Sequence, residues 1–126
     1  MTTQEIAALD RAVARTGEAV TLRRNTGSTP QTTVDVTLQA IVRGFKPSEL
    51  ISGSGIVAGD SLVIISPTAI NAAQWPGGQS PTVTGDQRIP RTTDAVIRQG
   101  KSRTVQSANP VYVRGVLVRI ELQVRG

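Results

Sequence analysis

The chain has 126 residues, enough for one domain with a single modest core. It contains no cysteine and no histidine, which excludes disulfides, thiolate nucleophiles, imidazole bases and zinc sites built on nitrogen or sulfur. Its formal charge is +5 and is unevenly placed: residues 88–126 hold eight basic and two acidic side chains, residues 1–87 six and seven.

The aromatic residues are Phe45, Trp75 and Tyr112 alone, so the core must be aliphatic and β-branched, a composition that favours strands. The first element is nevertheless a helix, expected over residues 3–16. Thr2 and Glu5 have the spacing of a capping box. Ile6, Leu9 and Val13 share one face with Ala12 beside them, Asp10 and Arg11 lie off it, and Gly17 is a natural stop. So narrow a stripe packs along one seam, on the sheet or on a partner.

Glu18 to Asn25 reads as a strand with Val20 and Leu22 inward and Thr21 and Arg23 outward. Turn formers follow, and a second strand runs from Thr32 to Phe45. There Val34, Val36, Leu38, Ala40 and Val42 alternate with Asp35, Thr37, Gln39, Ile41 and Arg43, the pattern of a half-buried antiparallel strand. Residues 44–59 read as a loop with a short edge strand at Ile56-Val57 and a turn at Asp60. The run Leu62-Val63-Ile64-Ile65 predicts a central strand covered on both faces. Ser66-Pro67 predicts an N-cap with proline at the first helical position, opening a short helical turn that ends at Trp75-Pro76-Gly77-Gly78.

Residues 76–92 form the second long loop, polar and proline-bearing. Both loops are expected to be mobile in the free protein and to become ordered on assembly. Asp94–Arg98 and Lys101–Gln106 make a hairpin about Gln99-Gly100. Asn109-Pro110 is expected to turn the chain into a final strand from Val111 to Arg125, where the even positions from 112 to 124 are apolar in six of seven cases and the odd ones in two of seven. The fold class is therefore all-β: a small antiparallel barrel or sandwich, residues 18–126, with one N-terminal helix and long loops, in a single domain. No aliphatic run approaches a membrane span.

Chemistry finds little purchase. Gly53-Ser54-Gly55-Ile56-Val57-Ala58-Gly59 has alanine at the third glycine place of a dinucleotide loop, follows a loop and precedes a strand, so it reads as a flexible interaction loop. The carboxylates are dispersed without catalytic or metal-binding spacing, and without histidine no Ser-His-Asp triad can form. The expectation is no enzyme, no cofactor and no metal. The basic set of the last third is Arg88, Arg91, Arg98, Lys101, Arg103, Arg114, Arg119 and Arg125, with Arg119 and Arg125 on the outward face of the last strand. Only Tyr112 accompanies them, too few aromatics for a stacking platform. Backbone electrostatics toward a polyanion, or a solvated face, are the two readings of this charge. Trp75 reads either as a plug over one end of the sheet or as an interface anchor.

The order helix, strand, long strand ending Arg43-Gly44-Phe45-Lys46-Pro47, glycine-bearing loop, Gly59-Asp60-Ser61-Leu62-Val63-Ile64, excursion, and Gly100-Lys101-Ser102-Arg103-Thr104-Val105 leading into a closing strand resembles the small head–tail joining, or head-closure, proteins of tailed bacteriophages and prophages. The likeness spans most of the chain, and residues 67–92 are additional to it. The resemblance implies a structural virion protein, assembled in the bacterial host cytoplasm. It would form a homo-oligomeric ring between the portal or adaptor ring and the tail proteins, with non-specific contact to DNA in the channel and no membrane. The interface residues expected on this reading are Lys46, Glu49, Ile51, Trp75, Arg88, Arg91, Arg119 and Arg125. The competing readings are a tail-completion or other small virion β-protein, and a basic nucleic-acid-binding β-barrel module.

Overall fold

The computed structural model describes residues 2–26, 32–45, 60–73, 75 and 88–125. Six strands, β1 (Glu18–Thr26), β2 (Thr32–Gly44), β3 (Ser61–Ile65), β4 (Ala95–Arg98), β5 (Lys101–Val113) and β6 (Val116–Arg125), close into one antiparallel barrel in the order β1-β2-β3-β6-β5-β4. Two helices accompany them, α1 (Thr2–Thr16) and α2 (Pro67–Ala73). The expected class is what is observed, with the second helix short.

The core follows the alternation of the strands. Val20 and Leu22 of β1, Val36, Leu38 and Ala40 of β2, Val63 and Ile65 of β3, Val96 of β4, Val105 of β5 and Ile120, Leu122 and Val124 of β6 are buried together, so the barrel is filled by aliphatic side chains. Ile64, on the other face of β3, is buried too, while Leu62 is half-buried. The two-face burial expected of this run thus holds for its second half.

α1 buries Val13, half-buries Ile6 and Leu9, and packs on β2 and β6. The capping box expected of Thr2 and Glu5 involves a side chain outside those described. The helix stops at Gly17, whose N–H donates to Val13 O at 2.8 Å. A Cβ on Gly17 would lie 2.4 Å from Val13 O and 2.9 Å from Ala40 O. The glycine is there for close approach of helix and sheet. α2 opens as expected, with the Thr68 N–H donating to Ser66 Oγ at 3.3 Å. It packs against β2 and β6. Just beyond it, Trp75 Nε1 donates to Val34 O at 2.9 Å, in the half of β2 that β3, paired only over Ala40 to Gly44, does not reach.

Two expectations for the last third are corrected. β5 runs straight through Asn109-Pro110, and the turn is at Arg114-Gly115, with Val113 paired to Val116. β4 pairs with β5 only over Lys101 to Thr104. Beyond that, β5 has no strand on that side among the described residues, and a proline can sit in such an edge because its missing N–H breaks no ladder. Arg114 and Gly115 both have positive φ, 52° and 79°, as do Gln99 and Gly100 at 55° and 75°, the signature of two-residue hairpin turns whose twist matches the strands.

The pairing of β5 with β6 slips twice, at Gln106 and at Val118. Each slip inserts one residue and bends the pair, as barrel closure requires. The second slip lets the adjacent Leu117 and Val118 both be buried: Leu117 joins the barrel core, while Val118 lies with Leu9 of α1 along a cleft outside it.

The barrel closes where only Thr21, Leu22 and Arg23 of β1 pair with Ile97, Val96 and Ala95 of β4. Side chains stitch both ends of this short seam. Arg98 of β4 bonds Glu18 at one end. At the other, Arg24 bonds Asp94, and Asn25 Nδ2 donates to Thr93 O at 3.0 Å.

Candidate functional site

β1 continues its inward phase past Leu22, and the next inward position is Arg24, 3% exposed. Its Nη2 donates to Asp94 Oδ2 at 3.0 Å and to Ile89 O at 2.9 Å, its Nε donates to Asp94 Oδ2 at 3.2 Å, and its guanidinium lies 4.7 Å from the Trp75 ring centroid. Asp94, 1% exposed, also accepts from the Arg91 N–H at 2.8 Å. A charge can be held here because hydrogen bonds and an aromatic face replace its water. The cluster ties residues on both sides of the 76–87 segment to one side chain: Trp75 before it, Ile89 and Asp94 after it.

Trp75, 2% exposed, is therefore the plug and not a surface anchor. Part of the second expected loop is likewise held in place. Pro90 is buried and Arg88 Nη1 donates to Asn71 Oδ1 at 3.0 Å. Residues 46–59 and 76–87, and with them Lys46, Glu49, Ile51 and the Ile56-Val57 edge strand, lie outside the described residues.

The basic set does not form one free patch. Arg125 Nε and Nη2 donate to Asp60 Oδ1 and Oδ2 at 2.8 and 2.9 Å, and Gln123 Nε2 donates to the same carboxylate at 2.7 Å. The Asp60 side chain is fully buried, so this residue does more than serve a turn. The hydrogen bond to Asp60 raises the Arg125 guanidinium above its usual range. Arg119 Nε lies 3.0 Å from Glu121 Oε2. On β1 and β2, Arg23 Nε and Nη2 donate to Asp35 at 2.9 Å each, holding that carboxyl below the usual carboxylate range. Among the described acidic residues, only Glu5 and Asp10, both on α1, have no arginine in a described ion pair.

Sequence reasoning missed Arg24, Asp94 and Asp60. Arg24 was open to discovery, since it keeps the parity of Val20 and Leu22. Asp94 and Asp60 precede their strands, outside any alternation.

Two surface features remain. A cleft of about 390 Å³ lies between α1 and α2, with Val13, Ala14, Ala69 and Ala72 as apolar lining and Asp10, Gln39, Ser66 and Thr68 around them. The second is the end of the β5–β6 hairpin. Residues 111–113 and 116–119 pair only with each other, beyond the last pairing with β3 at Ile120. Tyr112 and Val116, 45% and 43% exposed, are the exposed large apolar side chains among the described residues. No cluster of acidic residues suited to a metal occurs among the described residues, and none of their helices is long and apolar enough to cross a membrane. No protein-family model and no curated protein matches the chain.

Proposed function

We propose that this protein is a structural component of a tailed-phage neck, a ring-forming subunit that docks between the portal or adaptor ring and the tail and acts by contact, without catalysis. The observation that carries the reading is the order of elements around a closed barrel. An N-terminal helix lies against the wall, Asp60 leads into β3, Lys101 opens β5, and β6 closes between β5 and β3. The chain order of helix, Asp60 strand, Lys101 strand and closing strand agrees with the head–tail joining pattern that the sequence resembles, and this supports the reading. A barrel filled with aliphatic side chains leaves its outer surface, hairpin end and helix flanks as the working parts.

In this reading, contact with DNA is electrostatic and indifferent to sequence. It falls to exposed cations such as Lys101 and not to Arg125, which is occupied by Asp60. Deleting the gene from a phage or prophage that carries it tests the proposal. The expected result is DNA-filled heads and separate tails that fail to join, with joining restored by the protein supplied in trans. Normal infectious particles from the deletion would overturn it.

A further inference from the structure

The cleft between α1 and α2 and the end of the β5–β6 hairpin lie on different flanks of α1. Glu5 and Leu9 line the side shared with Val111, Val113, Val118 and Arg119, whereas Asp10, Val13 and Ala14 line the side shared with α2. The helix itself stands between them, so a molecule cannot place its own hairpin in its own cleft.

The two features are complementary in chemistry. The cleft offers an apolar lining and one carboxylate. Asp10 Oδ2 accepts from Thr68 Oγ1 at 2.7 Å, and its Oδ1 accepts no hydrogen bond among the described residues. The hairpin offers Arg114 at the outermost turn, exposed and in no described ion pair, between the exposed Tyr112 and Val116. An arginine suits such a cleft, because its stem packs on alanine and valine while its guanidinium reaches a carboxylate.

We propose that the occupant of the α1–α2 cleft is the hairpin end of a second copy of this chain, with Arg114 against Asp10 and with Tyr112 and Val116 on the rim. A contact between two different surfaces is heterologous, and repeated with the right rotation it closes a ring. The proposal deepens the neck reading, and rests on it for the choice of a second copy as the occupant.

The chain has no cysteine of its own, which makes trans cross-linking clean. Ala72→Cys protein is mixed with Val116→Cys protein under mild oxidation, beside a control mixture of Ala72→Cys with Lys101→Cys, whose cysteine sits on the other hairpin. The mixed disulfide of the first pair is expected to form on the order of tenfold faster, as effective concentration in a docked pair requires. Equal rates would overturn the contact.

Charge exchange supplies the second measurement. Arg114→Asp, at a position whose positive φ aspartate tolerates, and Asp10→Arg should each weaken self-association in sedimentation on the order of a hundredfold, the scale of an interface charge left facing its like. The double variant should recover most of it; a double variant as weak as the singles would also overturn the pairing. Cross-linking that fails while the gene deletion still leaves heads and tails unjoined removes this contact alone. Specific cross-linking with normal particles from the deletion keeps the contact and removes the neck role.

Discussion

Arg24 and Asp94 stand 70 positions apart in the chain and meet, buried, with Trp75 against the guanidinium. Removing one charge of such a pair strands the other, which costs about 3–5 kcal/mol, whereas replacing both by apolar groups of similar volume costs far less. Asp94→Ala should therefore lower unfolding stability by about that amount, and Arg24→Met with Asp94→Leu should recover much of it. Because Trp75 is the only tryptophan, its fluorescence in urea reports the transition directly.

Asp35 behaves differently, being exposed. Its folded carboxyl is held low by the hydrogen bonds from Arg23. The contribution is complete above the unfolded pKa, near 3.8, and disappears as pH falls through the lower folded value. Asp35→Asn should lower stability at neutral pH by the small amount an exposed pair contributes, and its difference from the unaltered protein should vanish as pH falls below about 4. At this scale parity was the one signal in the sequence that could have revealed Arg24. Its partner came from a segment without periodicity, so the pair could be found only once β1 and β4 were side by side.

Among the elements, β6 shows how strand alternation can be right and still mislead. Arg119 and Arg125 both point outward, as their spacing predicts, which suggests that both could be reversed in charge without harm to the fold. The strand places Arg125 on the fully buried Asp60 carboxylate, whereas Arg119 leans on Glu121, 29% exposed. Arg125→Glu should lower the denaturation midpoint clearly and Arg119→Glu only slightly; equal shifts in the two variants would contradict the assignment. The Asn109-Pro110 turn was a fair inference from turn chemistry. It fails because among the described residues β5 runs on beyond its pairing with β4, and the length of β4 is nothing that a local pattern in β5 reveals. The Arg114-Gly115 turn was hidden because arginine at positive φ is unusual.

For the molecule as a whole, the class was legible because inward parity in β1, β2 and β6 and the continuous run in β3 all demand one shared interior. Closure was less legible, since it depends on two slips in β5–β6 pairing that look like ordinary sequence. Those slips separate two adjacent-looking core residues. Ile120 lies in the barrel core, whereas Val118 lies outside it beside α1. Ile120→Asp should abolish the cooperative transition by placing an unpaired charge among aliphatic side chains. Val118→Asp should release α1 while β-sheet circular dichroism persists. Loss of both signals together in Val118→Asp would mean that the helix is integral to barrel stability.

The seam between β1 and β4 also has a mechanical meaning. A hoop under outward load parts at its weakest join, and here that join has three residue pairs against nine between β1 and β2. Glu18–Arg98 and Arg24–Asp94 act as rivets at its two ends, resisting shear where the backbone ladder is too short to do so. Pulled apart between β1 and β4, the protein should yield there first, and each rivet removed should lower the force at which the hoop springs open.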